Sequence, residues 1–177
     1  RRADLARLSL HKEGKMDLYE MRLQPAPYAA IENGKKTVEL RLYDEKRRKI
    51  KAGDFILFTN LQTEQSLYTQ VLAVTVFQDF ERLYAAYDKT SLGYAADEEA
   101  SPADMQAYYS AEDIQKFGVV AIELKKSDRM AYLEAAYQAD KKRRLNNTAR
   151  ILKDLAQTEM TGAEREEFLK NLGENEK

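Results

Sequence analysis

The chain has 177 residues, of which 44% are hydrophobic and 33% charged. This is the composition of a folded globular protein, and the length suits one domain with an appended segment, because domains cluster near about 100–150 residues. It contains no cysteine and one histidine, which excludes disulfide scaffolds, thiolate metal sites, a cysteine nucleophile and a histidine-rich metal centre. No apolar run approaches the roughly 18 residues that cross a bilayer, so we expect a cytoplasmic protein without a membrane partner.

The net charge of −1 conceals large differences between segments. Residues 1–60 carry a net +5, residues 78–113 a net −7 and residues 125–153 a net +6. Such a distribution permits a basic face on a nearly neutral protein. Pairing of opposite charges between the segments is the alternative.

Hydrophobic periodicity, together with prolines and capping residues, predicts the secondary-structure elements in chain order. Alternating or continuous apolar residues predict strands at 18–23, 37–43, 55–59, 67–77 and 119–124. Prolines, capping serines and helical spacing predict helices over 25–31, 79–87, 101–109 and 110–117. Short strands separated by turns favour an α+β fold with a small mixed barrel over a doubly wound sheet.

The remainder of the chain differs from this pattern. From 127 to about 172 there is no proline and no strand signal, and apolar residues recur at helical intervals. We therefore divide the chain into a leader or tag-like segment at 1–15, a domain at 16–126 and a helical C-terminal extension at 127–177. Thr161 and Glu164 have the spacing of a capping box and predict a final short helix. The apolar stripe of the extension packs on the barrel or pairs with a second copy or a protein partner.

Residues 34–41, GKKTVELR, contain the strongest candidates for a binding or catalytic site. Gly34 permits a sharp turn between helix and strand, and Lys36 sits at that turn. Glu39 and Arg41 are two residues apart on a strand, so they share a face. In a cleft this face would present cations that neutralise phosphate, beside a carboxylate that orients Arg41 or acts as a base. A solvated strand face with a salt bridge is the alternative.

The spacing of Gly34, Lys36, Glu39 and Arg41 resembles the G-x-K-x-x-E-x-R signature of the ASCH (activating signal cointegrator homology) domain family of the PUA-like superfamily. The following G-D-x-I-x-F segment at 53–58 supports the resemblance, which covers roughly residues 17–125. It implies a PUA-like barrel flanked by short helices, with the four signature residues beside a positively charged cleft that binds RNA or a nucleotide. It implies no cofactor, and we predict no metal site.

Two enzymatic branches of this family provide alternatives. One resembles an amidohydrolase acting on acetylated cytidine, which uses the signature lysine with a threonine two residues before the arginine. That position is Glu39 here, so the nucleophile would be missing. The other resembles ribonucleases with a lysine and a tyrosine at the cleft, for which Lys36 with Tyr43 or Tyr109 are candidates. If the protein is an enzyme, we expect Lys36 and Glu39 to be catalytic.

Further basic residues extend the predicted RNA-binding set. Lys35 lies within the signature, and Lys46, Arg47 and Arg48 form a run that could follow a phosphate backbone. A second run at 141–144 fits a solvated helix face. Tyrosines can stack on bases, but Tyr84 and Tyr87 occupy helix positions that predict packing in the core.

Overall fold

A computed structural model of the chain describes residues 16–159 and 161–174, so the predicted leader at 1–15 lies outside the described residues. Residues 16–134 form one compact unit and residues 135–174 belong to another. The first unit contains five strands in a single sheet. The strands are β1 (Leu18–Leu23), β2 (Val38–Leu42), β3 (Phe55–Asn60), β4 (Ser66–Phe77) and β5 (Val119–Lys126). All five predicted strands are therefore present, with ends displaced by at most two residues.

The sheet has the order β1-β3-β4-β5-β2 and curls into a half-barrel. β1 and β3 are parallel, and every other neighbouring pair is antiparallel. β4 carries a register shift between Val71 and Ala73, and such an irregularity bends a strand. The edge strands β1 and β2 are consecutive along the chain, which is possible because the curl brings the two ends of the sheet together.

Helices cover the sheet and join its strands. They are α1 (Pro25–Glu32), α2 (Phe80–Ala86), α3 (Lys89–Leu92) and α4 (Ala111–Phe117), with 3-10 turns at Arg47–Lys49 and Pro102–Ala107. Ser101 and Ser110 cap the predicted starts, because their side chains accept hydrogen bonds from the amides of Ala103 and Asp113. The short helix α3 is absent from the sequence prediction.

Two apolar clusters form the core of the first unit. The first contains Ile56, Phe58 and Ile122, and α1 contributes Tyr28 and Ile31 to it. The second contains residues of β2 and β5 together with the buried side chains of α2 and α3: Val38, Leu40, Phe80, Leu83, Leu92, Val119 and Ala121. Successive strand residues point to opposite faces, so β5 supplies both clusters. The fold is the predicted α+β barrel-like domain with short flanking helices.

The C-terminal residues form two helices, α5 (Arg129–Glu159) and α6 (Gly162–Glu174). The first turns of α5 belong to the first unit, where Tyr132 stacks on Tyr68 and meets Phe55 edge to face. Glu164 accepts hydrogen bonds from the Thr161 amide and hydroxyl at the predicted capping box. Apolar side chains along α5 are exposed, among them Tyr137, Leu145 and Ile151. Pairing of this extension with a partner stays a prediction.

Candidate functional site

The signature segment leads into the edge strand β2. The alternation along β2 places Val38 and Leu40 in the second core cluster, which leaves Glu39 and Arg41 on the opposite face. The alternative of a solvated strand face does not hold, since the Glu39 side chain is only 4% exposed and that of Arg41 19%. A buried carboxylate requires compensation by nearby positive charge.

Two cations provide that compensation. Lys36 Nζ lies 3.3 Å from Glu39 Oε2, and Arg41 Nε lies 2.9 Å from Glu39 Oε1. Neither Glu39 Oε2 nor Arg41 Nε has a hydrogen-bond partner of good geometry among the described residues, so these contacts act mainly through charge. The three side chains form a Lys36–Glu39–Arg41 triad with a net charge of +1 in a largely dry position.

Arg41 also connects the two edges of the sheet. Its Nη2 donates a hydrogen bond of 3.3 Å to the backbone carbonyl of Arg22 on β1. Burial lowers the pKa of Arg41, but the Glu39 carboxylate and the Tyr109 hydroxyl outweigh this effect and raise the pKa above its usual value. Arg41 is therefore a permanent cation in a fixed orientation.

Lys36 is held in place by the segments on either side of it. Its amide donates to the carbonyl of Ala30 at 2.9 Å, and the amide of Thr37 donates to the carbonyl of Ser91 at 2.9 Å. Gly93 packs on the aliphatic stem, since a Cβ there would lie 3.1 Å from Lys36 Cδ. Gly93 has φ +110°, which other residues rarely adopt. This glycine thus gives the lysine stem its space.

The triad lines a cleft of about 670 Å³. Its lining carries three cations, Arg22, Lys36 and Arg41, and three carboxylates, Glu39, Glu98 and Asp104. The prediction of a basic cleft is therefore wrong for the cleft as a whole. The physical reason is that the acidic segment 78–113 also contributes to the lining, so Glu98 and Asp104 offset part of the positive charge of Arg22, Lys36 and Arg41.

The part of the cleft lining that comes from residues 84–109 is rich in tyrosine. Tyr84 and Tyr94 share a hydroxyl hydrogen bond of 2.9 Å, and the Tyr94 hydroxyl donates to Asp104 Oδ2 at 2.7 Å. Burial is the main cause that raises the pKa of both tyrosines above the usual value. Tyr108 and Tyr109 also line the cleft, and Tyr108 is 66% exposed.

The predicted core role of Tyr84 describes only part of its environment. Its ring packs against the second core cluster, as predicted, but it also lines the cleft. Tyr87 packs against the same cluster and donates a hydrogen bond of 3.0 Å to Glu123. Sequence reasoning missed Gly93, Tyr94 and Asp104 as cleft residues; the available signal was a glycine, Gly93, within the acidic segment 78–113.

The other predicted site residues lie outside this cleft. Gly34 forms the expected turn with φ +78°, and Lys35 is exposed, but neither lines the cleft. Lys46 and Arg47 line a separate groove. Arg48 places its guanidinium over the Tyr43 ring, 5.3 Å from the ring centre, and its Nε donates to the Tyr43 carbonyl. Their roles in binding stay predictions.

Not all of the candidate catalytic residues lie at the cleft. Lys36, Glu39 and Tyr109 line the cleft, whereas Tyr43 packs partly buried against the first core cluster.

The described residues contain no group of three or more acidic, histidine or cysteine side chains placed to hold a metal ion. Of the described helices, none has the length and apolarity needed to cross a membrane.

Comparison with known families and structures shows to which family the chain belongs. The family model named ASCH domain matches residues 21–128, which include the triad and all the residues that line the cleft. The chain belongs to the ASCH domain family. The resemblance expected from the signature residues is thus confirmed, and the domain described here covers the matched segment. None of the curated proteins compared with this ASCH protein matched it.

Solved structures are also similar to this ASCH protein. The crystal structure of hypothetical protein PH0355 is 33% identical and covers 63% of this chain and 100% of its own, with a TM-score of 0.54. Protein PF0455 from Pyrococcus furiosus is 34% identical over 63% of this chain and 98% of its own, with a TM-score of 0.48. A mutant form of ZmASCH from Zymomonas mobilis is 20% identical over 61% of this chain and 67% of its own, with a TM-score of 0.44. The part shared with PH0355 corresponds in extent to the ASCH domain.

Proposed function

We propose that this ASCH domain binds RNA or a nucleotide in the cleft, with phosphate at the Lys36–Glu39–Arg41 triad. The observation that carries the proposal is that two cations fixed by one buried carboxylate line the same cleft as four tyrosines. Phosphate recognition needs cations, and recognition of unpaired bases uses aromatic rings. The volume of about 670 Å³ lies within the usual range for small-ligand sites.

Each wall of the cleft suits one part of a nucleotide. On one wall the guanidinium of Arg41 is oriented by Glu39 and the Arg22 carbonyl, so little side-chain freedom is lost when phosphate binds. On the other wall the exposed ring of Tyr108 offers a stacking surface, and the Asp104 carboxylate offers an acceptor for base amino groups. Glu39 acts here as a positioning residue, because both of its oxygens face cations.

Lys36→Met tests the phosphate contact. Methionine keeps an unbranched stem beside Gly93 but removes the ammonium. We expect affinity for a fluorescent single-stranded RNA to fall about tenfold at low salt, and the slope of log affinity against log salt to decrease by about 0.7, the value for one phosphate contact on a single strand. Fluorescence anisotropy between roughly 50 and 200 mM salt measures both quantities.

Lys125→Met is the matched control, since it makes the same charge change at an exposed position on β5 outside the cleft. Thermal unfolding of both variants shows that they are folded at the assay temperature. Equal affinity and equal salt slope for wild type and Lys36→Met would refute the proposal. The same samples, incubated with labelled RNA and acylated nucleosides, test the hydrolase alternatives by turnover.

Gly93→Ala tests whether the packing of Lys36 matters for binding. An added Cβ would lie 3.1 Å from Lys36 Cδ, so the lysine stem has to shift by a few tenths of an ångström. We expect RNA affinity to fall about three- to tenfold, which corresponds to roughly 0.7–1.4 kcal/mol. Gly53→Ala is the control, because Gly53 also has a positive φ, +90°, but nothing lies within 4 Å of the added Cβ. Equal binding by the two variants would show that Gly93 does not position Lys36.

A further inference from the structure

A second groove of about 390 Å³ lies along the edge strand β1, next to the cleft. Its charged lining consists of Arg22, Lys46, Arg47 and Lys49, with Glu20 as the only carboxylate among the residues that line it. The lining therefore carries a net charge of +3. The cleft lining carries equal numbers of cations and carboxylates. The positive potential that a polyanion requires is thus concentrated in the groove rather than in the cleft.

Two lysines of the groove are available to phosphate. Arg47 is paired with Asp44 at 2.7 Å, and Arg22 is paired with Glu64 at 2.8 Å on the surface. Lys46 and Lys49 are exposed, and neither ammonium has an ion pair within residues 16–159 and 161–174. Exposed lysines without a carboxylate partner are the groups that exchange counterions for phosphates at little cost.

The loop that carries these lysines is fixed against β1. The Tyr19 hydroxyl donates a hydrogen bond of 2.9 Å to the Lys49 carbonyl, and Asp44 Oδ1 accepts from the amides of Lys46 and Arg47. The 3-10 turn Arg47–Lys49 is consequently held at a set position beside the strand. A preorganised cationic loop binds with a smaller ordering cost than a free one.

Arg22 joins the two sites, because it lines both the cleft and the groove. Its carbonyl accepts from Arg41, so the phosphate-binding wall of the cleft directly adjoins β1. From Arg22 back to Tyr19 the strand extends about 10 Å, at about 3.3 Å per residue. A backbone leaving the triad can therefore follow β1 into the groove without crossing the acidic wall.

We infer that the ligand is single-stranded RNA, not a free nucleotide, and that its backbone runs from the cleft past Arg22 to phosphate contacts at Lys46 and Lys49. This inference rests on the proposed function of the cleft. It assigns one nucleotide to the cleft and the adjoining nucleotides to the groove. A single strand fits because the base in the cleft must be unpaired to meet the tyrosine wall.

The test compares ligands of different length. The probes are a random-sequence single-stranded RNA of about eight nucleotides and the four nucleoside 5′-monophosphates, with a Lys46→Gln/Lys49→Gln double variant. We expect the double variant to bind the octamer about tenfold more weakly at low salt, with a salt slope reduced by about 1.4, the value for two single-strand phosphate contacts. Its affinity for the monophosphates should stay at the wild-type value.

Two further variants separate the possible failures. Lys116→Gln/Lys125→Gln changes the same charge at two exposed lysines that line neither cavity, and should leave octamer binding unchanged. If Lys36→Met weakens octamer binding but the groove variant has wild-type affinity and salt slope, the extended path is wrong while the cleft proposal stands. If the groove variant alone weakens binding, RNA bypasses the cleft and the inference fails with the proposed function. Absence of octamer binding by the wild-type protein overturns the extended path, and absence of both octamer and monophosphate binding overturns the proposed function as well.

Discussion

Glu39→Ala is expected to lower the free energy of unfolding by about 3–5 kcal/mol, the usual cost of removing one partner from a buried ion pair. The Glu39 side chain is 4% exposed and faces Lys36 and Arg41, which are 10% and 19% exposed. Without the carboxylate two cations lie close together with little water to screen them. Urea unfolding followed by circular dichroism measures the change.

Glu64→Ala is the control for this prediction. Glu64 also forms an ion pair with an arginine at 2.8 Å, but both side chains are more than half exposed, at 68% for Glu64 and 59% for Arg22. Exposed pairs contribute about 0–1 kcal/mol, so this variant should unfold almost like the wild type. Similar losses in the two glutamate variants would contradict the assignment of Glu39 as the central buried charge.

A second substitution identifies the cause of the loss. Adding Lys36→Met to Glu39→Ala removes one of the two uncompensated cations, so we expect part of the lost stability to return. The same addition in the wild-type background leaves Glu39 with Arg41 alone and should cost stability. If Lys36→Met raises the stability of the Glu39→Ala variant and lowers that of the wild type, the charges of Lys36 and Glu39 are coupled. Equal effects would indicate that Glu39→Ala acts by leaving a cavity.

The sequence predicted the strands and capped helices well because these depend on local physics. Alternation of apolar residues fixes the faces of β2, and Ser101 and Ser110 satisfy amides within the same turn. Helix α3 was missed, since its four residues are too few to show helical periodicity. Its consequence for the site is large, because Gly93 ends it and packs on Lys36.

The cleft could be predicted only in part, because tertiary packing brings together residues that are far apart in the sequence. Spacing alone places Glu39 and Arg41 on one face, but it does not distinguish an outer surface from the opening of a barrel. The second wall comes from residues 84–109, which reach the triad through tertiary packing. The acidic segment was visible in the sequence as a net −7 over residues 78–113. What remained hidden was that it faces the cations.

The location of positive charge could likewise be predicted only in part. The predicted binding residues from Gly34 to Arg48 are close together in the sequence, but their distances in space depend on the tertiary fold. In the structure, both the cleft and the groove are lined by Arg22, a residue of β1 that the sequence analysis did not single out. Its role arises from the curl of the sheet, which sets β1 beside β2.

Gly118→Ala is expected to destabilise the domain by about 3 kcal/mol, since strain at a glycine-only conformation and contact with backbone add together. Gly118 ends α4 with φ 69° and ψ −173°, and an added Cβ would lie 3.0 Å from the carbonyl oxygen of Phe77. Its amide donates to the carbonyl of Ile114, and its carbonyl accepts from the amide of Tyr43. The residue thus holds the end of α4 and the chain just beyond β2.

Gly53→Ala separates the two contributions, because Gly53 has φ +90° but open space around the added Cβ. It should cost about 1–2 kcal/mol, the backbone strain alone. A loss in Gly118→Ala no greater than in Gly53→Ala would show that the β4 backbone at Phe77 yields to the new methyl group. The larger loss is expected because Phe77 is paired with Val119 in the ladder between β4 and β5, and movement there breaks hydrogen bonds on both strands. Val119 of β5 is also paired with Leu42 of β2, so a displacement at Phe77 lies one strand away from the strand that carries Glu39 and Arg41.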